Sequence, residues 1–127
     1  MATPIEIVTQ FCDQVAGGDA AKAADFFTAD AVYHNIPLDP VIGRDAIRDT
    51  IAMFLGMADK VWFDTLHIVA DGPIVMTERI DHFAQGDRDI ALPVMGTFEV
   101  RDGRITAWRD YFDMAQFTNQ MSAESGE

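Results

Sequence analysis

Positive charge, cysteine, serine and long apolar runs are all scarce in this chain, and each shortage removes a class of function. Nine Lys and Arg residues stand against twenty-one Asp and Glu, a net charge of −12. Such a chain repels phosphate backbones and anionic headgroups, so neither nucleic acid nor a membrane surface is expected as a partner. The one cysteine, Cys12, cannot form an intrachain disulfide, which suits a reducing compartment; the cytoplasm is the expected location. Val8, Phe11 and Val15 around it make Cys12 a core residue. No apolar stretch approaches the roughly 20 residues that span a bilayer. The start MATPIEIVTQ has neither the basic head nor the apolar centre of a signal peptide. Ser122 and Ser125, the only serines, lie in the polar tail, and no Gly-rich phosphate loop is present, so a serine hydrolase and a nucleotide fold are not expected. His34, His67 and His82 lack ligand spacing, so no metal is expected either.

The composition that remains, 49% apolar and 24% charged, is that of a globular protein with a core. A chain of 127 residues suits one domain that buries roughly two-thirds of its unfolded surface. One domain is expected over residues 1–127, with a frayed tail at about 122–127.

Hydrophobic spacing divides the chain in two. Thr3 and Glu6 form a capping box, and Ile5, Val8, Phe11, Cys12 and Val15 recur at helical intervals until Gly17-Gly18. Asp19 can cap a short second helix carrying Ala23, Phe26 and Phe27. Ala31 to Asn35 reads as a short strand, ended by the prolines of "IPLDP". After Gly43, Ile47, Ile51, Phe54 and Leu55 mark a third amphipathic helix. The period then changes to two. "VWFDTLHIVA", "IVMTERIDHF", "DIALPVMGTFEV" and "RITAWRDYF" are separated by turn signals, including the hairpin dipeptides Asp71-Gly72 and Asp102-Gly103. Asp113 caps a last helix from Met114 to about Met121. Helices followed by meandering strands imply an α+β fold. The expected form is a curved antiparallel (mixed) sheet making a cone, packed by three to four N-terminal helices around a deep pocket.

The stretch "VMTERIDHF" poses the functional question. In a strand, Arg79 and Asp81 point to the same side as Val75, Thr77 and Phe83. Spacing alone leaves two readings, a salt-bridged pair on an exposed strand and a catalytic pair in a lined cavity. Parity sharpens the second. Tyr33 and Asn35 share one strand face, Trp108 and Asp110 another, and Leu92, Val94, Gly96 and Phe98 share a face that could form an apolar wall. If these faces converge, two carboxylates meet with a guanidinium between them. One Asp could then donate a proton while the other takes one from water, with Tyr33 and Asn35 orienting that water. Arg109 and Glu78 fall on the opposite faces.

Three stretches, "YHNIPLDPVIGRDAI", "TERIDHF" and "GTFEVRDGRITAWRDYFD", resemble the limonene-1,2-epoxide hydrolase family of the nuclear transport factor 2-like, or SnoaL-like, fold group. The resemblance implies Asp81 as general acid on the epoxide oxygen, Asp110 as general base on water, and Arg79 bridging them. It also implies Tyr33 and Asn35 as the water-holding pair and a substrate pocket at Leu92, Val94 and Phe117; Phe83 is expected to join that pocket, and Trp108 to be core or pocket wall. The implied activity is concerted, cofactor-free hydrolysis of a small apolar epoxide to a vicinal diol, by a homodimer. The fold group hosts other functions. A SnoaL-like cyclase, a ketosteroid-isomerase-like enzyme and a non-catalytic ligand-binding module are the alternatives.

Overall fold

The computed structural model describes residues 2–123. Its first helix, α1 (Pro4–Ala16), begins at the expected capping box, with Pro4 in the first turn where no backbone donor is required. Ile7, Val8, Phe11, Cys12 and Val15 are buried along one stripe. A short α2 (Ala20–Ala24) follows, with the Asp19 side chain accepting from the Lys22 N–H.

The second helix is shorter than its apolar pattern suggests. Phe26 and Phe27 are not helical: β1 runs Phe27–Asn35 rather than starting at Ala31. The Phe27 ring packs edge-on to Phe11 with centroids 5.2 Å apart, so tertiary packing overrides the local spacing that attaches it to α2. A two-residue strand, β2 (Val41–Ile42), has no counterpart in the sequence reading; it pairs antiparallel with β1. Gly43, at φ 99°, then turns the chain into α3 (Arg44–Gly56), whose Ile47 and Ile51 are buried.

Four long strands complete the sheet: β3 (Lys60–Asp71), β4 (Ile74–Gln85), β5 (Arg88–Arg101) and β6 (Arg104–Tyr111). They form an antiparallel meander, and Asp102 and Gly103, both at positive φ, make the tight turn between the last two. The sheet order is β2-β1-β6-β5-β4-β3, and the β1–β6 pairing is parallel, which makes the sheet mixed. The curled sheet is not closed into a barrel. Helix α1 lies across its concave side, touching β3, β4, β5 and β6. The last helix, α4 (Met114–Ala123), comes after the sheet, so three helices precede the meander and one follows it. It extends past the expected end near Met121 to Ala123, inside the segment expected to fray; residues 124–127 lie outside the described residues.

The packed end of the concave face is aromatic. Phe11 meets Phe27, Phe98 and Trp108 edge-on, and Trp108 stacks on Phe98 at 5.4 Å. Each of these rings contributes roughly 1.5–3 kcal/mol by leaving water.

Candidate active site

Strand register brings the polar residues of the concave face together. Along the parallel β1–β6 pairing, Tyr33 sits beside Trp108 and Asn35 beside Asp110. Strand β5 separates β6 from β4, and Gly96 stands between Asp110 on one side and Thr77 on the other. Arg79 lies two residues along β4 from Thr77. Because Gly96 has no side chain, the Arg79 guanidinium can reach across β5 to Asp110. A Cβ at position 96 would fall on Arg79 Nη1 and Asp110 Oδ1. Strand parity assigns Gly96 to the apolar wall; it is instead the gap through which the ion pair forms.

Arg79 is 0% exposed and clamps both carboxylates. Its Nε and Nη2 donate to Asp81 Oδ1 and Oδ2 at 2.9 and 2.7 Å. Its Nη1 and Nη2 donate to Asp110 Oδ1 and Oδ2 at 3.1 and 2.8 Å. The remaining Nη1 hydrogen goes to Thr77 Oγ1 at 3.2 Å, and the Thr77 hydroxyl donates onward to the Gly96 carbonyl. All five guanidinium donors are therefore engaged, as a buried Arg requires. The guanidinium carbon lies over the Phe63 ring, 4.7 Å from its centroid. Trp108 Nε1 donates to Asp110 Oδ1 at 2.7 Å, so Asp110 is gripped from two directions. The exposed-strand reading of Arg79 and Asp81 is thus excluded by their burial.

The electrostatics separate these groups. Burial raises the Asp81 carboxyl from 3.8 to about 6; Arg79 pulls it down and the Asp110 charge adds to the rise. Burial works against the charge of Arg79, yet Asp110 and Asp81 hold its pKa well above the ordinary value. Burial and then the Asp110 charge push the Tyr33 hydroxyl well above its usual range, so it remains a neutral phenol. Tyr33 stacks on Trp108 at 4.0 Å and accepts from Asn35 Nδ2 at 3.0 Å. Cys12, buried beneath the cluster, is pushed up to about 12 and stays a thiol.

Asp81, Asp110, Tyr33 and Asn35 all line one cavity of about 90 Å³. Leu92, Val94, Phe83, Trp108 and Phe117, expected as its apolar wall, line it too. Sequence reasoning missed the opposite wall, made by Ile51, Phe54 and Leu55 of α3, by Val61 and Phe63 of β3, and by Leu38 in the loop after β1. The apolar stripe of α3 is visible in the sequence, but a stripe facing a cavity looks the same there as one facing a core. Glu78 and Arg109 point away from the site, as parity requires, and pair with His67 at 2.8 Å and Glu99 at 2.7 Å. Among the described residues no three His, Cys, Asp or Glu side chains cluster as a metal site would.

The limonene-1,2-epoxide hydrolase catalytic domain family matches residues 2–123. The chain is 40% identical over 104 residues to epoxide hydrolase EphG of Mycobacterium tuberculosis, an overlap of 76% of this chain and 68% of that one. A solved limonene-epoxide-hydrolase-like epoxide hydrolase from M. tuberculosis superposes with a TM-score of 0.79 at 31% identity, covering 94% of this chain and 90% of the other. A Shewanella putrefaciens structure described as a putative SnoaL-like polyketide cyclase superposes at 0.83 over 97% of this chain and 88% of its own. At 17% identity that likeness is one of fold alone.

Proposed function

Since this chain belongs to the limonene-1,2-epoxide hydrolase family, we propose that it adds water to a small apolar epoxide in one concerted step. The observation that carries this reading is the double clamp of Arg79 on Asp81 and Asp110 at the base of an apolar cavity. Asp110 is the general base. It takes a proton from a water held by the Tyr33 hydroxyl and the Asn35 amide, and the water oxygen attacks an epoxide carbon as the ring C–O bond breaks. Asp81 is the general acid and protonates the departing oxygen. Its raised pKa suits that role, because the acid must be protonated at the start. The product is a vicinal diol with one oxygen from solvent, and the step uses only side chains and water. Arg79 stays charged throughout and offsets the carboxylate charge as it moves from one Asp to the other.

Leu92, Val94, Phe83, Trp108 and Phe117 enclose the substrate, and their apolar surfaces favour an uncharged hydrocarbon epoxide. The whole chain acts as one catalytic unit in the cytoplasm, where Cys12 stays reduced. It works as a homodimer joined through the outer sheet face, where Met76, Met95 and Tyr111 are about half exposed. Sedimentation velocity at micromolar concentration should give twice the monomer mass.

Turnover of limonene oxide, cyclohexene oxide and styrene oxide in oxygen-18 water tests the chemistry. Diol carrying one solvent oxygen from the first turnover, lost in Asp110→Asn and in Asp81→Asn, is the expected result. Turnover that survives either substitution would reject the paired acid–base step. Absence of diol from a folded protein would favour a cyclase, an isomerase or a ligand-binding module.

A further inference from the structure

The β5–β6 ladder ends where Met95 meets Tyr111, although β5 continues back to Arg88. One edge of β5 is therefore left without a β6 partner from 88 to 94, and helix α4 crosses that edge. There Gln120 takes the place of a strand: the Ala91 N–H donates to Gln120 Oε1 and Gln120 Nε2 donates to the Ala91 carbonyl, both at 2.9 Å. Beside these two bonds, Arg88 Nη1 donates weakly to Met121 Sδ at 3.7 Å. None of its described side chains is buried, whereas α1 buries five. Its tether to β6 is the dipeptide Phe112-Asp113, and Phe117 touches Phe83 edge-on at 6.2 Å. A second, small void lies beneath it, bounded in part by Phe83, Ile90, Phe117 and Met121. Yet Met114 and Phe117 of this lightly seated helix wall the catalytic cavity.

The size of that cavity gives the helix a task. At about 90 Å³ it is smaller than the engineered cavity of ~150 Å³ that accommodates benzene. An acyclic epoxide of a few carbons fits this volume, and a ring-bearing one gains room when a wall moves. The best-held wall, the sheet, cannot yield without breaking ladder hydrogen bonds, while α4 can yield by exchanging side-chain bonds, led by the Gln120 pair, for water.

We propose that α4 is a movable wall of the pocket and that the Gln120 amide, bound to the Ala91 backbone, is its latch, making Gln120 a determinant of the epoxide size accepted. This rests on the hydrolase reading for its substrate but not for its motion. Gln120 touches no reacting atom; it acts by holding Phe117 and Met114 in place.

Gln120→Leu keeps the side-chain volume and removes both bonds. The ratio of kcat/KM for limonene oxide to that for 1,2-epoxybutane should rise roughly tenfold, the effect of about one net hydrogen bond on the opening equilibrium. A KM decrease for the larger epoxide should carry the change. In parallel, hydrogen exchange at the Ala91 amide should quicken in Gln120→Leu and remain slower in Gln120→Glu, which keeps the acceptor. An unchanged substrate ratio, or an unchanged Ala91 exchange rate, overturns the latch. If no epoxide is hydrolysed, the hydrolase reading fails separately. The latch is then judged by whether Gln120→Leu speeds binding of an unreactive terpene alcohol more than that of butanol.

Discussion

Two helices cover the same concave sheet and are held in opposite ways. Helix α1 sinks five side chains into the core, and Phe11 alone meets four aromatic rings. Helix α4 has none of its described side chains buried, and its contacts with the sheet include the Gln120 amide on Ala91, a weak bond from Arg88 to Met121 Sδ and the Phe117–Phe83 ring contact. The difference separates two duties. Stability is concentrated at the α1 end, where apolar area leaves water, and the proposed control of access lies at the α4 end, where no described side chain is buried. Trp108 joins the two: one ring face stacks on Phe98 in the core, and its Nε1 holds Asp110 in the cavity. The packed end thereby fixes the geometry of the reactive end.

Substitutions that strike one duty and spare the other sharpen this contrast. Asp110→Asn should have the largest effect, a loss of roughly 100- to 10,000-fold in kcat, the usual range for a missing general base. Stability should fall by about 1–3 kcal/mol, because the amide oxygen can still accept from Trp108 while the new NH2 group faces Arg79 Nη2, itself a donor. Steady-state rates and urea melts on the same preparation check both halves. Phe11→Ala is the mirror image. It removes a ring at 0% exposure and should cost about 3–5 kcal/mol of unfolding free energy, read by urea denaturation. At a temperature where the variant is still folded, its kcat should stay within a few-fold of the parent, and a collapse of kcat there would contradict the division of duties.

The pH response is the next largest effect. The folded-state pKa of Asp81 lies above its ordinary 3.8, at about 6, so the folded chain binds this proton more tightly than the unfolded one. The associated stability is fully present below 3.8 and is lost as pH rises through about 6. The parent should therefore lose stability relative to Asp81→Asn between pH 4 and pH 7, as urea melts across that interval would record. The rate should fall along the same limb as the general acid loses its proton, and a kcat that keeps rising above pH 7 would remove Asp81 from that role.

The amphipathic helices and the alternating strands were legible because their signal is local. Ile7, Val8, Phe11 and Val15 on α1, and Arg79 and Asp81 on β4, follow the periods of helix and strand. The parallel pairing of β1 with β6 was not legible, since no local pattern links residues this far apart in sequence, and it is this pairing that sets Asn35 beside Asp110. Phe27 was misplaced because it falls at helical spacing from Ala23, with no Gly or Pro to mark the break after α2. Thr77 and Gln120 carried no sign of their partners, because a polar residue reveals its hydrogen bond only when the backbone it meets is known.

Gly96 is the sharpest case, and it supplies the smallest and most diagnostic substitution. In sequence it alternates with Leu92, Val94 and Phe98, and nothing distinguishes it from a weak point in an apolar wall. In the fold it lets Arg79 of β4 and Asp110 of β6 meet over β5. Gly96→Ala would set a methyl group against Arg79 Nη1 and Asp110 Oδ1, so the clamp must open on that side. Strand propensity favours Ala slightly over Gly, which offsets part of the crowding, and a net destabilisation of about 1–2 kcal/mol is expected. The rate should fall tenfold or more, because Asp110 loses its bond to Nη1 while Trp108 still holds it. Thr77→Val, which removes the neighbouring hydroxyl without adding bulk, separates crowding from lost hydrogen bonding. If Gly96→Ala alone depresses kcat, the missing Cβ is what permits the ion pair; if both variants do so equally, the Thr77 hydroxyl is the more important support.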